Sequence, residues 1–313
     1  MIEIIDQTPD RETWNSLVKQ CNGTIFHSYE WLNLLEENFN QKTYYLLAKK
    51  DGKLTGGFPY YKLKKGPATL LVSPLPKTET MYGGPIALDG SVKQNLIKAF
   101  LGKNASLYYI KSEDMGFAQG FDIQPNKNYI LNFKKTKEEL WNSLNKKTRN
   151  AVRKAEKLCV EIIEADNLQN IDTYYHILSM NFEKLNLNPL PLNFYRNLFK
   201  ELAPKGMAKF LLAKYDNKFV AGGVFLIFNQ NLVYLSGSSY PEYRFTNANN
   251  LIQWNLISWA AENKLKSYDL GGAGVPSIAK FKAGFGGKEV NYYRLSKTRG
   301  IARPFVKMYL KLR

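Results

Sequence analysis

The sequence predicts an α/β chain made of two related units in tandem, each a mixed sheet flanked by helices. Three observations carry that prediction. The chain has 313 residues, about twice the ~150 residues of an ordinary domain. Residues 46–58 align without a gap to residues 211–223, with seven of thirteen positions identical. Strand-like and helix-like apolar patterns alternate in both halves. Each copy of the repeat reads as a hairpin, because Asp51-Gly52 in one and Asp216-Asn217 in the other tolerate the positive φ of a tight turn.

Composition narrows the chemistry. The chain is 44% hydrophobic and 14% aromatic, enough for a sizeable core and incompatible with intrinsic disorder. Its two cysteines, Cys21 and Cys159, and two histidines, His27 and His176, supply neither a disulfide framework nor a Cys-rich zinc site. Metal-dependent and Ser-His-Asp chemistry are poorly provided for. No stretch approaches the ~20 apolar residues of a membrane span. The acidic start, Met1-Ile2-Glu3-Ile4-Ile5-Asp6, lacks the layout of a signal peptide, so a cytoplasmic protein is expected. The net charge of +17 points to an anionic partner: nucleic acid, a phosphorylated substrate or a membrane face.

Trp31, Leu32, Leu34, Leu35 and Phe39 recur at helical spacing after Ser28, a good N-cap. Residues 66–85 carry Pro67, Pro74, Pro76, Pro85 and Gly83-Gly84 and read as a loop-rich stretch. Leu140, Trp141, Leu144, Ala151, Val152, Ala155 and Leu158 predict one amphipathic helix over 140–158. Its exposed side is basic, with Lys146, Lys147, Arg149, Arg153, Lys154 and Lys157. The apolar runs 210–213 and 224–228 are strand-sized, and 232–236 is a strand. Leu251, Ile252, Asn255, Leu256 and Trp259 mark a helix over 249–264. Residues 267–270 form a strand that ends on Gly271-Gly272.

The order strand, loop, helix, strand over 232–270 resembles the core unit of N-acyltransferases of the GNAT type, whose helix N-terminus holds the phosphates of an acyl carrier. The approach to the helix keeps Arg244 and Ala248 of the usual pattern, with Asn247 beside them, but contains no glycine. An ordinary capped helix is the competing reading. Arg244 and Asn247 are the candidate donor-phosphate ligands.

Further motifs, spread from about Gly23 to Gly287, resemble the FemABX aminoacyltransferases of peptidoglycan synthesis, which include lipid II:glycine glycyltransferases. They are Gly23-Thr24-Ile25-Phe26-His27-Ser28 with Trp31, Tyr82-Gly83-Gly84-Pro85-Ile86, the helix from Lys147 to Ala155, and Tyr268-Asp269-Leu270-Gly271-Gly272 followed by Phe281-Lys282-Ala283-Gly284-Phe285-Gly286. The resemblance implies two tandem GNAT-like domains. The expected division is 1–135 for the first and 136–295 for the second, which would carry the catalytic site, with 296–313 packing back on the first. It also implies transfer of an aminoacyl or acyl group to an amine of a cell-envelope precursor.

Such a reaction needs a neutral amine, an activated acyl group, and positive charge or N–H donors where the oxyanion develops. Lys282 is assigned the last role, against the alternative of a surface lysine. Gly284 and Gly286 would let backbone approach the substrate. The family pattern places Tyr234 and Phe281 at the substrate, although a core tyrosine is an equal reading of Tyr234. It places Arg149, Arg153 and Lys184 on phosphates; Lys184 stands where relatives carry an arginine and lacks the bidentate fork. Glu113 falls near a family aspartate that helps to position the amine. Asp269 would contact the amine or cap the turn that follows it.

The donor would be aminoacyl-tRNA or acyl-CoA, with no tightly bound cofactor and no metal. Partners would be a phosphorylated or lipid-linked envelope precursor and charged tRNA, with peripheral contact to the anionic inner membrane. The basic helix is a solvated face, a tRNA-steering face or a lipid-phosphate site. The tail 294–313, with seven Lys and Arg and no acid, is a membrane-facing amphipathic segment or a helix packed on the first domain. Two alternatives stand beside the aminoacyltransferase: an acyl-CoA-dependent N-acyltransferase of an amino sugar in surface polysaccharide synthesis, and a non-catalytic basic binder on a transferase scaffold.

Overall fold

A computed structural model describes residues 1–184 and 186–299, in two compact units. The first is Met1–Asn126 with the described residues from Asn291 onward, and the second is Lys127–Val290. Of the tail 294–313, residues from Gly300 onward lie outside the described part. The sequence reading put the breaks at 135/136 and 295/296. The difference comes from two long strands whose hydrogen bonds, described below, commit them earlier.

In the first unit the elements are β1 (Ile2–Asp6), α1 (Arg11–Gln20), α2 (Tyr29–Phe39), β2 (Thr43–Lys50), β3 (Lys53–Lys65), β4 (Ala68–Ser73), β5 (Ile86–Ala87), α3 (Gly90–Gly102) and β6 (Leu107–Ser112). The chain continues through β7 (Asp122–Asn132), α4 (Lys137–Ser143), α5 (Lys146–Lys157), β8 (Glu161–Glu164), α6 (Leu168–Lys184), α7 (Leu192–Leu202), β9 (Ala208–Tyr215), β10 (Lys218–Phe228), β11 (Asn231–Ser239), α8 (Ala248–Glu262), β12 (Ser267–Gly272), α9 (Pro276–Ala283) and β13 (Lys288–Thr298).

The two sheets have one plan. The first runs β1-β2-β3-β4-β6-β13 and the second β8-β9-β10-β11-β12-β7. In each, two helices separate the first strand from the second, and one helix, α3 or α8, makes the crossover that a parallel pair requires. Those parallel pairs are β4 with β6 and β11 with β12. The sixth strands are exchanged: β7, which follows β6 in sequence, pairs with β12, and β13, which follows α9, pairs with β6. The repeated hairpins occupy equivalent places as β2–β3 and β9–β10. Asp51 and Gly52 have φ of 51° and 77°, and Asp216 and Asn217 have 48° and 59°. These are the left-handed pairs that a two-residue turn demands.

The loop-rich stretch 66–85 also holds β4, where Leu70, Leu71 and Val72 are buried. One local expectation is corrected. The single helix over 140–158 is two helices. Asn145 breaks it: its side chain accepts from Thr148 N–H at 2.7 Å and caps α5. Such a cap stabilises a helix by about 1 kcal/mol.

The core of the second unit lies between its sheet and the pair α5 and α8, which pack on each other. Leu251, Ile252, Leu256, Ile257 and Ala260 bury α8 on several sides. Among these apolar neighbours sits one amide, Gln253, 2% exposed.

Candidate active site

In the second unit the parallel strands β11 and β12 pair only through Asn231, Leu232 and Val233 opposite Ser267, Tyr268 and Asp269. Beyond that point β11 runs on to Ser239 and β12 to Gly272, with no further partner residues between them. Tyr234 is therefore the first residue past the parting of the strands. A β-bulge between Val224 and Phe225 accommodates an extra residue of β11 at this place. The bulge re-aims side chains. Tyr234 turns to the α8 side and stacks on Phe225, with ring centroids 5.4 Å apart. Ser236 and Ser238 turn to α6, where they meet Tyr174 Oη at 2.7 Å and Asn181 Nδ2 at 2.7 Å.

Lys282 lies in the last turn of α9 and points back into this opening. It is 7% exposed, donates to the Gly272 carbonyl at 2.9 Å, and stands 5.5 Å from the centre of the Tyr234 ring. The reading of Lys282 as a surface lysine is thereby set aside. Burial pushes its ammonium down to about 8, and the charge of Asp269 partly offsets that. Asp269 is buried, and its Oδ1 accepts from Asn128 Nδ2 at 2.8 Å and from Gly271 N–H at 2.7 Å. It is held as the acceptor of the Gly271 turn and as an anion facing Lys282. Burial lifts the Tyr234 hydroxyl to about 12, so it stays protonated at neutral pH.

The turn after Lys282 is locked onto the helix break. Asn145 N–H donates to Gly284 O at 3.0 Å. A Cβ on Gly284 would lie 2.3 Å from Thr148 Oγ1, and one on Gly286, where φ is +79°, 2.7 Å from Ser143 Oγ. Phe281 packs edge-on against Phe285 at 5.1 Å and is half-buried against the core.

The other expected residues are placed as follows. Arg149 Nη1 donates to the carbonyls of Asn142 and Leu144 at 3.0 and 2.6 Å, so its guanidinium closes the end of α4. Arg153 is exposed and lies over the Trp141 ring at 5.3 Å. Arg244 Nη2 donates to Asn181 Oδ1 at 3.0 Å, one helical turn before the exposed Lys184. Asn247 starts α8 in the left-handed region without a side-chain cap bond. Glu113 is an exposed residue of the first unit. Lys282, Asp269 and Tyr234 come together with Phe281 behind them; no described contact joins Arg153, Lys184, Arg244 or Asn247 to Lys282.

Among the described residues of the first unit, the equivalent place is closed. Past the pairing of β4 with β6, Gly83 N–H donates to Lys111 O of β6 at 2.7 Å, and Gly84 N–H to Ser73 Oγ of β4 at 2.8 Å. A Cβ on Gly83 would lie 2.6 Å from Pro74 N. The motif around Gly83 thus fills the space between the strands. The motif at Gly23 to Trp31 is architectural as well: Ser28 caps α2 through Trp31 N–H, and buried His27 bonds Thr24.

Sequence reasoning missed Asn145, Gln253, Asn128 and Gly237. Asn145 carried a signal, an Asn three residues before a helical Thr. Gln253 carried one too, as an amide at helical spacing from the apolar Leu256 and Ile257. Asn128 and Gly237 depend on strand register and carried none.

Residues 142–282, which lie within the second unit, match the family described as acetyltransferase (GNAT) domain. No curated protein sequence is similar enough to be matched. Among solved structures the chain is similar to FemX, with a TM-score of 0.74 at 16% identity over 92% of this chain and 96% of that one. It is also similar to L-PGS from Bacillus licheniformis, at 0.62 and 13% over 98% and 97%. A third is the C-terminal domain of a putative lysylphosphatidylglycerol synthetase from Agrobacterium fabrum, at 0.56 and 12% over 94% and 95%. The chain therefore has the FemX-like fold, two GNAT-type units in tandem. Among the described residues no helix is long and apolar enough to cross a membrane, and no group of three metal-binding side chains exists.

Proposed function

We propose that the chain transfers an aminoacyl or acyl group to an amine of a cell-envelope precursor, and that the Lys282 centre is where it does so. The observation that carries this reading is the buried ammonium of Lys282, held over Tyr234 and opposite Asp269 where β11 and β12 part. Burying an ammonium costs several kcal/mol before its partners offset it, and here one carbonyl and one nearby carboxylate offset it only in part. A charge kept in a low-dielectric opening acts strongly on an oxyanion.

In the reaction the amine nitrogen attacks the acyl carbon, and the tetrahedral oxyanion forms toward the Lys282 ammonium. The bond from carbon to the carrier oxygen or sulfur then breaks. The carrier takes one proton and the amine gives one up. Tyr234 would contact the substrate, and Asp269 would help to keep Lys282 cationic.

The donor assigned here is aminoacyl-tRNA. The α8 N-terminus has no glycine approach, and Arg244 is engaged with Asn181, which favours tRNA over acyl-CoA. The exposed basic face of α5 suits an anionic partner, and the acceptor would be phosphorylated or lipid-linked. The fold likeness to a putative lysylphosphatidylglycerol synthetase supports a lipid-associated acceptor. The test is a donor screen, charged tRNA against acyl-CoA, with pooled phosphorylated amines. Amide formation from charged tRNA is expected; transfer from acetyl-CoA alone would overturn the donor, and no transfer from either would favour the non-catalytic binder.

A further inference from the structure

The second unit carries a group of aromatic rings at its surface that the mechanism above does not use. Among the described residues Phe245 is the one phenylalanine left exposed, at 48%. A single exposed ring is ordinary, but this one is supported. Its centroid lies 5.7 Å from that of Tyr215 and 6.4 Å from that of Tyr243, and those two rings are 6.4 Å apart. Tyr215 and Tyr243 are half-buried and pack on the core, so the exposed ring stands on a fixed base. Tyr240 extends the group, 6.5 Å from Tyr243. Two cations accompany it. Lys218 is directly opposite Tyr215 across the β9–β10 hairpin, which puts both side chains on one face of the sheet. Arg244 stands between Tyr243 and Phe245 in the short turn Pro241–Thr246 and gives one nitrogen to Asn181.

Exposed rings interleaved with cations fit nucleobases and the phosphates that join them, because stacking accepts any base and Arg or Lys neutralises the backbone. We propose that Tyr215, Tyr243 and Phe245 form a stacking surface for the unpaired 3′-terminal bases of the tRNA that carries the acyl group, with Arg244 and Lys218 beside its phosphates. The inference rests on the donor assigned above and says where that donor is held. β11 sets the reach required. Tyr240 follows Tyr234 by six residues, all but the last within β11, a span of roughly 20 Å at the ordinary rise of a strand. Single-stranded nucleotides can bridge it, with their bases on the rings and the acyl ester at Lys282. Asp216 and Glu242 are exposed on the same two turns and offset the two cations, so the affinity of this surface comes from stacking more than from charge.

The probe is uncharged tRNA, whole or trimmed of its unpaired 3′ end, titrated over a range of salt against wild type, Phe245→Ala and Phe245→Trp. Phe245 is exposed, so both variants should fold, and thermal melts check it. Trimming should weaken binding to wild type by about 10-fold or more, the loss that goes with removing a stacked base. Phe245→Ala should bind whole tRNA about 10-fold less tightly and trimmed tRNA as wild type does. It should keep the wild-type slope of log K against log salt, since no phosphate contact is lost. Phe245→Trp should restore the affinity. Equal affinity of wild type and Phe245→Ala for whole tRNA overturns the inference, as does a loss that persists on trimmed tRNA or that changes the salt slope. In those cases the tRNA donor itself still stands. Failure of wild type to bind tRNA even at low salt would overturn the donor reading and the inference together, and binding of acyl-CoA that depends on Phe245 would do the same by giving the rings to its adenine.

Discussion

The backbone N–H of Asn145 donates to the carbonyl of Gly284 at 3.0 Å, so the residue that splits a basic helix in two also anchors the turn behind Lys282. The two glycines of that turn leave no room: a Cβ at Gly284 or Gly286 meets Thr148 or Ser143 at 2.3 and 2.7 Å. Gly286→Ala also places a side chain at φ +79°, which costs roughly 1–2 kcal/mol. It should lower thermal stability by several degrees and turnover by more than 10-fold. Calorimetry with a transfer assay checks both; wild-type turnover would separate this turn from catalysis.

Lys282 links stability to pH with a definite sign. Its folded-state value, about 8, lies below the ordinary 10.5. Below pH 8 both states are charged and the full burial cost is present. Between 8 and 10.5 the unfolded chain holds a proton that the native state has released, so the Lys282 contribution to stability rises with pH. The stability advantage of Lys282→Met relative to wild type should therefore shrink by on the order of 2–3 kcal/mol from pH 7 to 10.5. Denaturant titrations at several pH values measure it; a constant difference would contradict the buried ammonium.

Activity should carry the opposite limb. The Lys282 cation is the species that meets the oxyanion, so turnover should fall tenfold per pH unit above about 8. A profile flat to pH 10 would remove Lys282 from that role.

The hairpin turns supply a contrast. Gly52 has a φ of 77° and open space around it, and Asn217 sits at 59°. Gly52→Val should cost about 1–2 kcal/mol and leave turnover unchanged, since the turn lies in the first unit. A large loss of turnover without unfolding would show that the first unit takes part in the chemistry.

The basic face of α5 makes a salt prediction. Lys146, Lys147, Lys154 and Lys157 are all exposed. Replacing the four with alanine should weaken tRNA binding and lower the slope of log K against log salt by about 0.7–0.9 for each phosphate no longer neutralised. An unchanged slope would make the helix a solvated face.

The sequence carried the architecture further than the site. The hairpins at Leu46 and Leu211 were legible because a two-residue turn leaves a local signature, and the helix after Ser28 because its cap is local. The break at Asn145 was hidden, since the flanking apolar spacing continues smoothly and the opposing signal is one side chain. Lys282 was reached through its motif, but its burial depends on Gly272, Tyr234 and Asp269, which only the strand register brings near. Arg149 illustrates the limit. The motif assigned it to a phosphate, and the bonds of its Nη1 to the end of α4 could not be foreseen without the helix break at Asn145. Tyr234 faces α8 only because of a bulge that alternation along a strand does not foretell.

The central claim is that the Lys282 centre of the second unit forms an amide bond, and it is tested most directly by single-turnover transfer from charged tRNA to an amine acceptor, wild type against Lys282→Met. The predicted result is amide formation by wild type and a loss of about 100-fold or more in the variant, with folding and tRNA binding retained. Equal rates in the two proteins would contradict the account.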